Sequence, residues 1–177
     1  MTLTQRGKNS SPSIIKQMAE AAAAFAAALR LLAMRDHSEA ELRGKLVRRG
    51  FPLTEIDQTV GRLYDLRYLD DRRFATAWAT AALNSGRGVG PRLKLELQRR
   101  GVASAVIEAT LTELAEEHDE QQVLAQLLAK RFAGFNPQTA DERQRRRVYA
   151  YLQRRGFSLN MIFSYFRTID HSEEFQA

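Results

Sequence analysis

LVRRGF occupies residues 46–51, LQRRGV residues 97–102 and LQRRGF residues 152–157. Each copy sets a leucine before a pair of arginines, then a glycine, then an apolar residue. Placing Gly50, Gly101 and Gly156 at a common zero tests whether the likeness extends further. Eight residues before the glycine stand Leu42, Leu93 and Val148, and four before it Leu46, Leu97 and Leu152. Six after it stand Ile56, Ile107 and Ile162, ten after it Val60, Leu111 and Phe166, and thirteen after it Leu63, Leu114 and Ile169. Every apolar slot is apolar three times over, so the chain is built from three repeats. Slots −8 and −4 lie one helical turn apart, and slots +6, +10 and +13 form the stripe of an amphipathic helix. A helix therefore enters each glycine and another leaves it. A further apolar helix precedes each pair, at about 20–35, 71–84 and 120–132.

The expected fold is all-α: three tandem three-helix repeats in an elongated, curved arrangement. A three-helix repeat of about 50 residues buries little surface alone, so neighbours are expected to pack end to end. The expected limits are a mobile tail at 1–18, repeats at 19–69, 70–117 and 118–170, and a short tail at 171–177. Boundary residues agree with this division. Ser38 and Glu41 have capping-box spacing, as do Thr139 and Glu142. Pro91 suits a first helical turn, and Asp70 and Asp71 suit a helix start.

The hexapeptide has a plain folding explanation. Glycine just past a helix adopts the left-handed conformation that closes it. The following apolar residue then meets the leucine, pairing Leu46 with Phe51, Leu97 with Val102 and Leu152 with Phe157. A cation in the last turn suits the helix dipole, but nothing in a helix stop requires two. The pairs Arg48–Arg49, Arg99–Arg100 and Arg154–Arg155 are therefore candidates for contact with acidic side chains or phosphates. A second basic feature is ERQRRRVYAYLQRRG at 142–156, where Arg143, Arg145, Arg146 and Arg147 crowd the helix that also carries Arg154 and Arg155. Arg143, Arg147 and Arg154 fall on one face of it.

Net charge is +6, from 27 basic and 21 acidic residues. Residues 1–69 carry 11 basic and 7 acidic, 70–119 carry 7 and 8, and 120–177 carry 9 and 6. Basic ends around a near-neutral middle suit a partner that is itself an ionic mosaic, such as a protein–nucleic acid filament. The chain has no cysteine, which excludes disulfides and thiolate chemistry and fits a reducing cytoplasm. No apolar run approaches the roughly 18 residues of a membrane span. The alanine-rich stretch at 19–35 lacks the layout of a signal peptide.

Enzyme chemistry is not expected, nor is a cofactor or a metal. His37, His118 and His171 lack ligand spacing and read as surface residues. GRGVG at 86–90 follows a helix and lacks the lysine and hydroxyl of a phosphate loop, so it reads as an inter-helix turn. Glu113, Glu116, Glu117, Asp119 and Glu120 read as a solvated helix end. Trp78, Tyr149, Tyr151, Phe163, Tyr165 and Phe166 are expected mainly in the core.

The sequence resembles the RecX family, regulators of the RecA recombinase, over roughly residues 26–167. Arg35, the run Ser38-Glu39-Ala40-Glu41-Leu42, Lys45-Leu46 and Gly50 match the first repeat's signature. Leu69-Asp70-Asp71-Arg72-Arg73-Phe74-Ala75 matches the entry to the second, with Arg73 in or next to a place often acidic. Gly90, Arg92-Leu93, Glu96-Leu97 and Gly101-Val102 match the second repeat, while the third matches least. The resemblance implies a protein that lies along the groove of the RecA–DNA filament and contacts more than one protomer; the chain itself is expected to be a monomer. It implies restraint of filament growth, ATP hydrolysis, strand exchange and co-protease activity, and hence a role in recombination, DNA repair and the SOS response. The rival expectation is a helical-repeat protein that binds DNA directly, since three-helix repeats with basic second helices resemble helix-turn-helix modules.

Overall fold

The computed structural model describes the backbone of residues 12–174 and the side chains of 19 and 21–168. Among the described residues it is all helix, in the order α1 Pro12–Met34, α2 Glu39–Arg48, α3 Leu53–Asp65, α4 Asp71–Asn84, α5 Gly90–Arg99, α6 Ser104–Glu117, α7 Glu120–Arg131, α8 Glu142–Arg154 and α9 Leu159–Glu174. Three helices fall to each repeat, as the glycine-centred pattern expects. α1 begins at Pro12, within the span 1–18 expected as a tail. Residues 1–11 and 175–177 lie outside the described residues, and α9 runs into the short tail expected at 171–177, as far as Glu174.

All three RRG corners are Schellman stops. The glycines have φ of +84° at Gly50, +75° at Gly101 and +101° at Gly156. Gly50 N–H donates to the Val47 carbonyl at 2.9 Å and Phe51 N–H to the Leu46 carbonyl at 3.3 Å. The same pair of bonds recurs from Gly101 and Val102, and from Gly156 and Phe157. The stop recurs where the sequence does not advertise it. Arg67, at φ +58°, ends α3 with Tyr68 N–H on the Leu63 carbonyl at 2.9 Å. Gly86 ends α4 the same way, with Arg87 N–H on the Ala82 carbonyl at 2.9 Å.

Ser38 caps α2, its Oγ accepting from Glu41 N–H at 3.1 Å, while the Glu41 carboxylate holds the Arg35 guanidinium at 2.8 Å. In the third repeat the cap is Asp141 rather than Thr139. Asp141 accepts from Gln144 N–H at 2.7 Å. The preceding residues form a turn in which Asn136 Oδ1 accepts from Gln138 N–H at 2.8 Å. That turn delays the helix by two residues and leaves a carboxylate, the better acceptor beside a helix dipole, at its start. Pro91 falls in the first turn of α5.

The chain divides into two compact units, Met1–Asp70 and Asp71–Ala177. The first holds repeat one, with a core of Ala27, Ala28 and Leu31 from α1, Leu42 and Leu46 from α2, Ile56, Val60 and Leu63 from α3, and Leu69. Small residues on α1 let its backbone approach α3 closely. The second unit holds repeats two and three, which share a core. Ala79, Ala82, Leu83, Val89, Leu93 and Leu114 of repeat two pack with Leu124, Leu127, Leu128, Val148, Leu152, Phe157, Ile162 and Phe166 of repeat three. End-to-end packing thus holds for this pair. The repeat slots account for the cores: the −4 leucines and +6 isoleucines are 0% exposed in all three copies. The side chain of Ile169 lies outside the described residues.

His37 does not lie on the surface as the sequence suggested; it is 3% exposed. The chain doubles back after α1, and His37 Nδ1 lies 2.9 Å from the Arg35 carbonyl, so Nδ1 carries the proton and donates. Burial, opposed by that hydrogen bond, holds the imidazolium form below the usual pKa of 6.5. The folded state then binds fewer protons here than the unfolded chain, so stability rises with pH. This contribution is complete above about pH 6.5 and is lost as pH falls toward the lowered folded value. Urea denaturation of the full chain at pH 7.5 and 5.5, beside the His37→Gln variant, checks this. Wild type should lose more stability on acidification than the variant; equal losses would contradict the sign.

Candidate partner-binding surface

The three arginine pairs end homologous helices, yet their members have different surroundings. In the second and third copies the second arginine is used inside the fold. Arg100 lies half-buried with its guanidinium 4.9 Å from the Trp78 ring centre. Arg155 lies 4.9 Å from the ring centre of Tyr151, one turn earlier on α8. Each such stack contributes about 0.5–2 kcal/mol, depending on desolvation. Arg155 also donates from Nη1 to the Arg87 carbonyl at 2.9 Å, and its own carbonyl accepts from Val89 N–H at 2.8 Å. Folding therefore explains half of the doubled arginine in two copies out of three.

The first arginine of each pair, Arg48, Arg99 and Arg154, is exposed in every copy, and so is Arg49. Arg99 has only a loose partner, Glu96 at 3.6 Å. Arg48, Arg49 and Arg154 have no ion-pair partner among the described residues. Apolar side chains stand exposed beside these corners: Val47 and Leu53 at the first, Leu159 at the third.

The α8 arginines also separate. Arg145 is half-buried, with Nη1 3.4 Å from the Pro137 carbonyl, and lines a hollow with Tyr149, Phe163 and Phe166. Arg146 is exposed but paired with Glu142. Arg143 and Arg147 are exposed without an ion-pair partner among the described residues. They share a face with Arg154, which leaves Arg143, Arg147 and Arg154 as the open cationic stripe of α8. Arg147 borders a hollow of about 410 Å³ with Arg131, Asn136, Thr139 and Gln144.

The GRGVG loop does more than turn the chain. A Cβ on Gly86 would meet Leu127 Cδ1 at 2.8 Å, and one on Gly88 would meet Arg92 Cγ at 2.7 Å. Gly90 lies against the Glu120 carboxylate, and Gly156 against the Val89 carbonyl. The loop is where α7 and the end of α8 dock on repeat two. Three glycines in five residues signalled a close approach, but nothing in the sequence named the partner segments.

The acid-rich junction is solvated in part. Glu113 pairs with Arg72 at 2.5 Å, and Asp119 caps α7 through Gln121 N–H at 2.8 Å. Burial, then the Asp119 charge, pushes the Glu120 carboxyl above its usual range. Among the described residues no group of three His, Asp or Glu could hold a metal ion, and no helix is long and apolar enough to cross a membrane. His118 closes α6; the side chain of His171 lies outside the described residues.

Three family models match the chain in register with its repeats: RecX first three-helix domain over residues 24–63, RecX second three-helix domain over 70–111, and RecX third three-helix domain over 118–166. Regulatory protein RecX of Syntrophotalea carbinolica is 41% identical over 149 residues, covering 84% of this chain and 97% of that protein. Its namesake in Trichlorobacter lovleyi is 44% identical over 138 residues, covering 78% and 90%. A crystal structure of regulatory protein RecX superposes with a TM-score of 0.74 at 20% identity, covering 95% of this chain and 81% of that one. RecX from Lactobacillus salivarius gives 0.67 at 21%, covering 86% and 98%. At such identities the two structures speak for the fold alone.

Proposed function

The chain belongs to the RecX family, and from that premise we propose that it regulates the RecA recombinase by binding the RecA–DNA filament. The action is restraint: slower filament growth, ATP hydrolysis, strand exchange and co-protease cleavage, in the service of DNA repair, recombination and the SOS response. It works in the cytoplasm as a monomer, without cofactor or catalysis. The observation that carries this reading is the repeated corner. Arg48, Arg99 and Arg154 stand exposed at equivalent places, with Arg49 exposed beside the first, and two corners are flanked by exposed Val47, Leu53 and Leu159. Cations beside apolar groups suit a protein surface better than a bare phosphate track. Several weak contacts on one chain reinforce one another through effective concentration, and they favour the filament conformation that does not extend or turn over.

Direct DNA binding is the second reading, favoured by the open stripe Arg143, Arg147 and Arg154. Sedimentation separates the two. The protein should pellet with RecA filaments on single-stranded DNA and stay in solution with the same DNA alone at about 0.15 M salt, where exposed charge is screened beyond roughly 8 Å. Tight retention on naked DNA, with a steep loss as salt rises and no gain from RecA, would favour the second reading.

A further inference from the structure

Where repeat two meets repeat three, a cleft of about 200 Å³ is lined by Trp78, Arg87, Arg92, Glu96, Arg100 and Arg155 among others. Four arginines thus line it beside one glutamate. Arg92 is held by that carboxylate at 2.5 Å. Arg87 and Arg155 are held by neutral groups. Arg87 Nε donates to Ser85 Oγ at 2.9 Å and lies 5.7 Å from the Trp78 ring centre; Arg155 donates to the Arg87 carbonyl and stacks on Tyr151. Among the described residues neither has an ion-pair partner. Like charges fixed close together by neutral anchors repel, and an entering anion relieves that repulsion without having to order the side chains itself.

We propose that this cleft takes one carboxylate side chain, an aspartate or glutamate, presented by the protein partner; the identity of that partner rests on the reading of function above. The guanidinium fork matches a carboxylate bidentately. Glu96 already pairs with Arg92 inside the cleft, through Arg92 Nη2 and Glu96 Oε1. The volume admits one small anionic group, whereas a nucleic-acid strand presents phosphates in a row. The cleft arginines ring a hole, and the open row of cations is elsewhere, on α8.

Trp78 is the only tryptophan of the chain, and two of the arginines lie over its ring, so its fluorescence reports occupancy. The full chain is titrated at low salt with an oligoglutamate peptide and, separately, with oligothymidylate. The peptide should change Trp78 emission saturably. Arg87→Gln, which removes a guanidinium held by Ser85 and the Trp78 ring, should weaken the peptide by about tenfold, the worth of a charge-assisted hydrogen bond at a partly open site. Glu96→Gln removes the internal competitor and should tighten it. Circular dichroism checks that both variants are folded. The proposal is overturned if the peptide leaves Trp78 unmoved, if Arg87→Gln binds it like wild type, or if oligothymidylate saturates the signal at lower concentration. RecA-filament pelleting keeps the two ideas apart. Arg87→Gln pelleting at wild-type strength overturns the cleft as a docking point and leaves the function standing. Wild type failing to pellet overturns the function, and the peptide titration alone then decides the cleft.

Discussion

Replacing Gly156 by alanine should lower the stability of the unit holding repeats two and three by about 4 kcal/mol. Two separate costs combine. At φ +101° the backbone is where an L side chain is strained, at about 1–3 kcal/mol. The added Cβ would also press on the Val89 carbonyl and on Arg92 Cβ at 3.0 Å. Backbone cannot swing aside as a flexible side chain does. Relief therefore requires the end of α8 to back away from the loop, breaking the Val89 N–H bond to the Arg155 carbonyl and the Arg155 bond to Arg87. Gly50 supplies the control. Its φ is +84°, yet nothing lies within 4 Å of a Cβ built there, so Gly50→Ala should cost only about 1–2 kcal/mol of conformational strain. Urea denaturation followed by Trp78 fluorescence reads the unit that contains Gly156, and circular dichroism reads the whole chain. Equal small losses at the two glycines would show that the third RRG corner is not a docking element.

That contrast marks how far the sequence could be read. The helix stops, the repeat and the buried slots were legible, because each follows from local periodicity and from the left-handed bias of glycine. Even the two arginines per corner were visible. What was not visible is that Arg100 rests on Trp78, 22 residues earlier in the chain, and that Arg155 and Gly156 rest on the loop at 87–89. Those contacts join segments that no periodicity relates. The Tyr151–Arg155 stack spans one helical turn and could have been read, since residues four apart on a helix touch. His37 was misplaced for the same reason as the Thr139 cap: a short connection folds back according to its own hydrogen bonds, and one residue type does not reveal them.

Reversing Arg143, Arg147 and Arg154 to glutamate together should weaken filament binding by roughly 100-fold while leaving the helix content intact. Each is exposed and without an ion-pair partner among the described residues, so folding loses little. Each reversal removes an attraction and adds a repulsion, at about 1 kcal/mol apiece for screened surface charge. Arg145 and Arg146 provide the contrast. Arg145 is half-buried beside the Pro137 carbonyl and Arg146 is tied to Glu142, so reversing those two should disturb local packing more and binding less. Filament pelleting at several protein concentrations, beside circular dichroism, measures both effects. Near-wild-type pelleting by the triple variant would place the contact surface elsewhere, with the RRG corners Arg48, Arg49 and Arg99 as the next to reverse.

The central claim is that this chain restrains RecA, and the most direct test is RecA ATP hydrolysis on single-stranded DNA with increasing amounts of the purified protein. Turnover should fall in a saturable way, at protein concentrations below that of RecA, because one regulator touches several filament sites at once. The triple α8 variant should need far more protein for the same effect. Unchanged ATP turnover at an equimolar ratio to RecA, with tight binding of the protein to naked DNA, would contradict the account.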